Sequence, residues 1–307
     1  MGTLDLLGLN IHRGGFNQYK PISKESDPPE RGQALADFLK DQREDGVTTA
    51  ALTDTYGWRE YYGTDEQIAA HTGFRWAQYQ PLNDDRLTQL YGDTQISTAL
   101  ATDHEVDERE SRPIRLENRD ALKTVLKLGS QTLHIFTLYL DDFRDDTRKK
   151  QVRSLFSQGV LDLGERTVIV GDLNSPSPDL KGAPLRTRVD DLGFRAISFA
   201  FGLVPGKDSL ERILGLIDRS AQAPTINYYK TAYRGMNRRT TIREFLDRGF
   251  TDTDPDHQPT VHHGFGRNLQ LDHIMHHTPV DKPLTVSDFQ VLPAPSDHDA
   301  VRATIDL

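Results

Sequence analysis

The sequence predicts an α/β (α+β) fold, layered, with sheets that are mixed or largely antiparallel. Two observations carry the expectation. The apolar runs "ALKTVLKL" (121–128) and "TLHIFTLYL" (132–140) flank Gly129-Ser130 as the arms of a hairpin do. Elsewhere, strand-like segments are separated by stretches whose apolar residues recur three and four apart, the spacing of crossover helices, so hairpins and crossovers share one chain.

Each element follows in order. "LDLLGLNI" (4–11) reads as a first strand, and the polar, Gly- and Pro-bearing stretch behind it as a loop. "GQALADFLKDQRED" sets Leu35, Phe38 and Leu39 on one helical face, and Gly46 suits the position just past its end. "VTTAALTDTYGW" reads as a second strand, with further strands near 96–102, 120–128 and 132–140. A helix over about 146–157 precedes "VIVGDLNSPSP" (168–178), whose β-branched start suits a fully covered strand. From about 175 to 247 the strands give way. There "DSLERILGLIDRSA" spaces Leu210, Ile213, Leu214 and Ile217 helically, and "TTIREFLDRGF" reads as a helix ending near Gly249. With no internal repeat and no low-complexity linker, the chain is expected to be a single domain, 1–307, with a partly helical insertion at about 175–247.

Composition narrows the chemistry. A chain of 307 residues with 36% hydrophobic content can bury a substantial core. Its 46 acidic and 37 basic residues leave a net charge of −9, which argues against a general nucleic-acid coat protein. It has no cysteine, which removes disulfides, thiolate metal sites and a cysteine nucleophile. No run of ~18 apolar residues occurs, so no membrane span is expected and the protein is read as soluble and cytoplasmic. The one basic stretch holds Lys230, Arg234, Arg238, Arg239 and Arg243 among Tyr228, Tyr229 and Tyr233, and reads either as a solvated helix face or as a phosphate-binding flap.

Polar residues gather where strands end. Asp172 and Asn174 follow the 168–170 run, and strand alternation would direct both to one side. An Asx turn closing the strand is the simpler alternative. Asn10 ends the first strand, and Asp54 follows the second. Asp272 and His273 open a Leu/Ile-rich segment, and Ser296-Asp297-His298 stands directly ahead of the last strand. An imidazole beside a carboxylate is what a general base needs. Strand ends presenting such groups make an active site at one edge of a scaffold. His262, His263, His276 and His277 are not expected to form a zinc site, because adjacent strand residues face opposite ways. Trp58 and Trp76 are expected in the core, and Asp84, Asp85, Asp141 and Asp142 in solvated loops.

In this order the residues resemble the endonuclease/exonuclease/phosphatase superfamily with its deoxyribonuclease I-like fold. "LNIHRGG" resembles its Asn-bearing first strand, "LTDTYGW" stands where it has a Gln-Glu pair, and "LYLDD" lies at its His/Tyr-bearing strand. "GDLN", "LQLDHI" and "SDH" resemble the remaining motifs, and "DTRKKQVRSL" its Arg-x-x-Gln helix. The resemblance implies a two-layered β-sandwich flanked by helices, divalent metal at one end, and a phosphoester as the bond cut. It implies that Asp172 orients or deprotonates water, that Asn174 donates to phosphate oxygens, and that His298, oriented by Asp272, is a phosphate ligand or general base. Asn10, Asp54 and Asp297 would help to hold Mg²⁺ or Mn²⁺. Asp54 is one methylene shorter than the family's Glu, with Glu60 nearby as a substitute. Tyr139 stands where many members have His and resembles the exonuclease III and abasic-site endonuclease branch. His12, Arg234, Arg238 and Arg239 are expected to meet substrate. The expected activity is metal-dependent phosphodiester hydrolysis in nucleic acid. The rivals are a small-molecule or lipid phosphoester substrate, and a non-catalytic binding module of the same fold.

Overall fold

The structure is a computed structural model and describes residues 2–11, 30–55, 58–81, 97–116, 119–141, 144–176, 240–261 and 269–307. In chain order its elements are β1 (Thr3–Asn10), α1 (Glu30–Glu44), β2 (Thr49–Thr53), α2 (Trp58–Tyr62), α3 (Asp65–Thr72), β3 (Trp76–Pro81), β4 (Ser97–Thr102), β5 (Glu105–Val106) and β6 (Arg112–Leu116). Then come β7 (Arg119–Leu128), β8 (Gln131–Thr137), α4 (Asp145–Ser157), β9 (Thr167–Asp172), α5 (Thr240–Leu246), β10 (Thr251–Asp252), β11 (Asp272–His277), β12 (Thr285–Leu292) and β13 (Ala300–Asp306).

Two sheets pack face to face. One has six strands in the order β12-β13-β1-β2-β4-β3; the other runs β10-β11-β9-β8-β7-β5, with β6 paired to β7. Only β1–β2 and β8–β9 are parallel among these pairs, each pair joined through helical chain, and the other ladders are antiparallel. Leu4 and Leu6 of β1, Leu122 and Leu126 of β7, Val168 and Val170 of β9, Ile274 of β11 and Val301 of β13 fill the space between the sheets. Burying each such side chain is worth roughly 1.5–3 kcal/mol. The alternate residues face outward. Leu7 and Leu9 lie under Leu35 and Leu39 of α1, while Ile169 and Met275 lie under Val152 and Leu155 of α4 and Phe245 of α5. This helix–sheet–sheet–helix layering explains why β1 and β9 read as continuous apolar runs, since both their faces are covered.

The predicted hairpin forms, with Leu128 opposite Gln131 and Gly129 at φ +67°. Other boundaries move. The strand expected to reach residue 140 stops at Thr137, so Tyr139 lies beyond its end. Asp141, expected in solvent, is buried: Arg144 N–H donates to its Oδ1, its own N–H donates to Gln151 Oε1, and its carbonyl accepts from Arg148. The region expected as an insertion is described only at its margins, Ser175–Pro176 and from Thr240 onward; the helix expected near 208–221 and the basic tyrosine-rich stretch up to residue 239 lie outside the described residues. No described helix is long and apolar enough to cross a membrane.

Direction brings the polar strand ends together. β1, β2, β8 and β9 end at one edge of the sandwich, and β11 and β13, antiparallel to β9 and β1, begin there. Asn10, Asp54, Tyr139, Asp172, Asp272 and His298 therefore share that edge.

Candidate active site

At the end of β9 the backbone turns sharply. Gly171 has φ +133°, and a Cβ there would lie 2.3 Å from the Leu138 carbonyl oxygen, so glycine is what lets β9 pass this close to the segment after β8. Asp172 is the last strand residue, and Asn174 takes the left-handed conformation at φ +49°. The Asn174 N–H donates to Asp172 Oδ1 at 2.8 Å. Asn174 thus joins Asp172 by an Asx turn and not by strand alternation, and the turn and the site are one structure.

Asp172 is held on both oxygens, because Asn10 Nδ2 donates to its Oδ2 at 2.8 Å. Directly across the ladder stands Asp272. Its Oδ2 accepts from Thr260 Oγ1 at 2.8 Å and bonds His298 Nδ1 at 2.7 Å. Thr260 in turn accepts the Leu271 and Asp272 N–H groups. All four of Asn10, Asp172, Asp272 and His298 are buried. Asp172, Asp272 and His298 can present ligand atoms within 4.8 Å of one another, a candidate metal-binding group.

The charges interact strongly. Burial, then the negative charge of Asp272, pushes the Asp172 carboxyl up to about 7; His298 and the donors from Asn174 and Asn10 pull the other way. Burial alone would lower the His298 imidazole, but the charge and hydrogen bond of Asp272, followed by the charges of Asp172 and Asp297, carry it up to about 10. At neutral pH His298 is therefore an imidazolium. It is a donor and a positive charge.

The remaining predicted residues fall as follows. Asp54 is buried at φ +55°, beyond Thr53, which pairs with Asn10; its Oδ1 finds no hydrogen-bond partner among the described residues. Asp272 Oδ1 is in the same condition. The Ser296 hydroxyl donates to the Asn10 carbonyl at 2.8 Å, which ties the Ser-Asp-His turn to β1, and Asp297 Oδ1 lies 3.4 Å from the same hydroxyl. Asn174 Nδ2 donates to the Leu140 carbonyl at 3.1 Å, while Leu140 N–H donates to the Asp172 carbonyl. Arg148 and Gln151 of α4 fix the next peptide, which gives the Arg-x-x-Gln spacing its physical purpose. Tyr139 packs under the Arg119 guanidinium, 4.7 Å from the ring centroid. Trp58 is fully buried beside Tyr62, and Trp76 packs against the inter-sheet core. His12, Arg234, Arg238, Arg239, His262, His263 and the side chain of Glu60 lie outside the described residues.

Sequence reasoning missed Thr260, Asp252 and Arg119. Thr260 had no signal, being an ordinary threonine twelve residues from its partner. His273, buried and on the opposite face of β11 from Asp272, bonds Asp252 Oδ2 at 3.1 Å and the Ser175 carbonyl at 2.9 Å. Burial lowers its basicity, but the charge and hydrogen bond of Asp252, the Ser175 carbonyl and the charge of Asp272 raise it above the ordinary imidazole value.

No protein-family model matches the chain, and no curated protein does. Solved structures do match over its whole length. An endonuclease/exonuclease/phosphatase from Beutenbergia cavernae DSM 12333 superimposes with a TM-score of 0.62 at 13% identity, covering 100% of this chain and 72% of that one. An AP endonuclease from Archaeoglobus fulgidus gives 0.55 at 13% identity, covering 99% and 100%. The human Nocturnin catalytic domain with bound sulfate anion gives 0.57 at 11% identity, covering 99% and 93%. Identities this low speak to architecture, and with the sheet order above they show that the chain has the fold of the endonuclease/exonuclease/phosphatase structures.

Proposed function

We propose that this protein is a divalent-metal-dependent phosphodiesterase acting on nucleic acid. The observation that carries the reading is the buried cluster of Asp172, Asp272 and His298, in which His298 Nδ1 lies 2.7 Å from Asp272 Oδ2. Four carboxylates, Asp54, Asp172, Asp272 and Asp297, outweigh one imidazolium at this edge, so an anionic phosphoester needs a cation in order to approach. The donor set fits a hard cation. Asp54 Oδ1 is a buried oxygen with no described partner, and the Asn10 amide and Asp297 add further oxygen donors. Asn10, Asp54 and Asp297 would hold the ion. A bound Mg²⁺ or Mn²⁺ supplies electrostatic stabilisation of the phosphoryl oxygens and acidifies its water.

The chain's own residues supply the rest. Asp172, held by two donors and raised towards neutrality, is suited to orient a water and take its proton. One Asn174 amide hydrogen is committed to Leu140, which leaves the other to donate to a phosphoryl oxygen. His298 uses Nδ1 on Asp272, so Nε2 offers an N–H and a positive charge to the developing oxyanion. Asp272 keeps that ring charged and oriented. The similar fold of an AP endonuclease, the position of Tyr139 and the basic tyrosine-rich stretch at 228–243 support nucleic acid as the substrate class. The net charge of −9 favours the second reading, a nucleotide or other small phosphoester.

The test is a substrate panel of labelled single-stranded DNA, RNA, abasic-site duplex, nucleotides and phosphoinositides, assayed with Mg²⁺, with Mn²⁺ and with chelator. Cleavage of a polynucleotide that chelator abolishes is the expected result. Turnover of small phosphoesters alone would move the substrate to the second reading, and silence across the panel from folded protein would remove the enzymatic reading.

A further inference from the structure

The loop that carries Asn174 is held from both faces of the sheet, and the catalytic reading above uses only one of them. On the face between the sheets, Asp172 Oδ1 accepts the Asn174 N–H. Leu173 N–H extends the ladder to the Leu271 carbonyl, and the chain then crosses the end of β9 to the outer face, where His273 stands opposite Gly171. There His273 Nε2 meets the Ser175 carbonyl at 2.9 Å, and Nδ1 meets Asp252 Oδ2 at 3.1 Å. A carbonyl and a carboxylate both only accept, so each ring nitrogen must donate. A ring with two donors and no exposure is fixed in position and in rotation. Among the described residues the His273 ring bonds only Asp252 and Ser175, and neither His273 nor Asp252 hydrogen-bonds the side chains of Asp172 or His298.

The loop needs such a hold. Asn174 is a non-glycine residue with positive φ, a conformation that the surrounding bonds must maintain. Its amide has to stand at hydrogen-bond distance from a reacting oxygen, where small displacements cost rate. We propose that His273 and Asp252 are positioning residues for the phosphoester hydrolysis, clamping the Ser175 carbonyl so that Asn174 presents its amide to the substrate. The proposal rests on the phosphodiesterase reading. It assigns a role to a strand on both its faces: Asp272 orients His298 on one, and His273 orients Asn174 on the other.

The experiment measures kcat and KM on bis-p-nitrophenyl phosphate with saturating Mg²⁺ for the wild type, His273→Leu, His273→Gln, Asp252→Asn, Asn174→Ala and the double variant H273L/N174A. Partners that orient functional groups typically contribute about 10–100-fold, and H273L is expected to lose that much in kcat with KM nearly unchanged. H273Q keeps a donor for Ser175 and should recover most of the loss. In the N174A background H273L should cost little more, because its effect passes through Asn174. Thermal midpoints and circular dichroism identify any variant that fails to fold, and if H273L fails then D252N, expected to lower kcat with KM nearly unchanged, carries the comparison. Wild-type kcat in folded H273L and D252N would overturn the proposal, and so would a full multiplicative loss in the double variant, which marks a general structural role. Wild type without turnover would instead overturn the phosphodiesterase reading on which the proposal stands.

Discussion

His298 and Asp272 show how one neighbour decides what a side chain can do. A buried imidazole left alone would be neutral; the 2.7 Å bond to Asp272 makes it a cation. Asp272→Asn removes that charge, and NMR titration of the ring should then show a neutral His298 at pH 7.5, where the wild type shows an imidazolium. Phosphodiesterase activity should fall about 100-fold or more, the scale of losing a properly held acid–base partner. The sign of the pH effect on stability follows from the raised value. Because the folded His298 binds its proton more tightly than the unfolded chain, its contribution is full below the ordinary value of 6.5 and is lost as pH rises through about 10. Denaturant unfolding of the metal-free protein should show this loss across pH 6.5–10, and His298→Gln should flatten that part of the profile.

The β9 strand and its turn hold the site in place. Gly171 at φ +133° lets the strand end run beside Leu138, and any side chain there meets a carbonyl oxygen rather than a movable group. Gly171→Ala is expected to cost about 2 kcal/mol or more from backbone strain and the clash, read as a lower urea midpoint at unchanged slope, with kcat reduced because Asp172 is displaced. Among the elements, β1, β9 and the β7–β8 hairpin were legible because both-face burial writes continuous apolar runs and Gly129 marks the turn. The edge strand β12 was not: "TVSDFQVL" is partly exposed along most of its length, so its pattern carries little alternation. The helix α3 did have a readable signal, the Thr64–Gln67 capping box, in a sequence with little apolar periodicity. Asp141 was misread for a related reason, since its partners Gln151 and Arg148 lie on a helix that meets it only after folding.

Seen as one molecule, the chain converts topology into chemistry. Parallel β1 and β2, and antiparallel β11 and β13, bring residues as far apart in sequence as Asn10 and His298 to one edge. That convergence was legible only as an order of motifs, because sequence shows polar residues at strand ends but not which ends meet. Thr260 and Asp252 lay beyond such reading, each defined by a partner remote in the chain rather than by a local pattern. The net charge of −9 includes the four site carboxylates, so the same residues that make the protein acidic create its need for a cation. The most direct measurement is hydrolysis of bis-p-nitrophenyl phosphate by the wild type and by Asp172→Asn, with Mg²⁺ and with chelator. The expected result is wild-type turnover that chelator abolishes and that Asp172→Asn, still folded, lowers by about 10³-fold or more. Turnover that is unchanged by the substitution, or that persists in chelator, would contradict it.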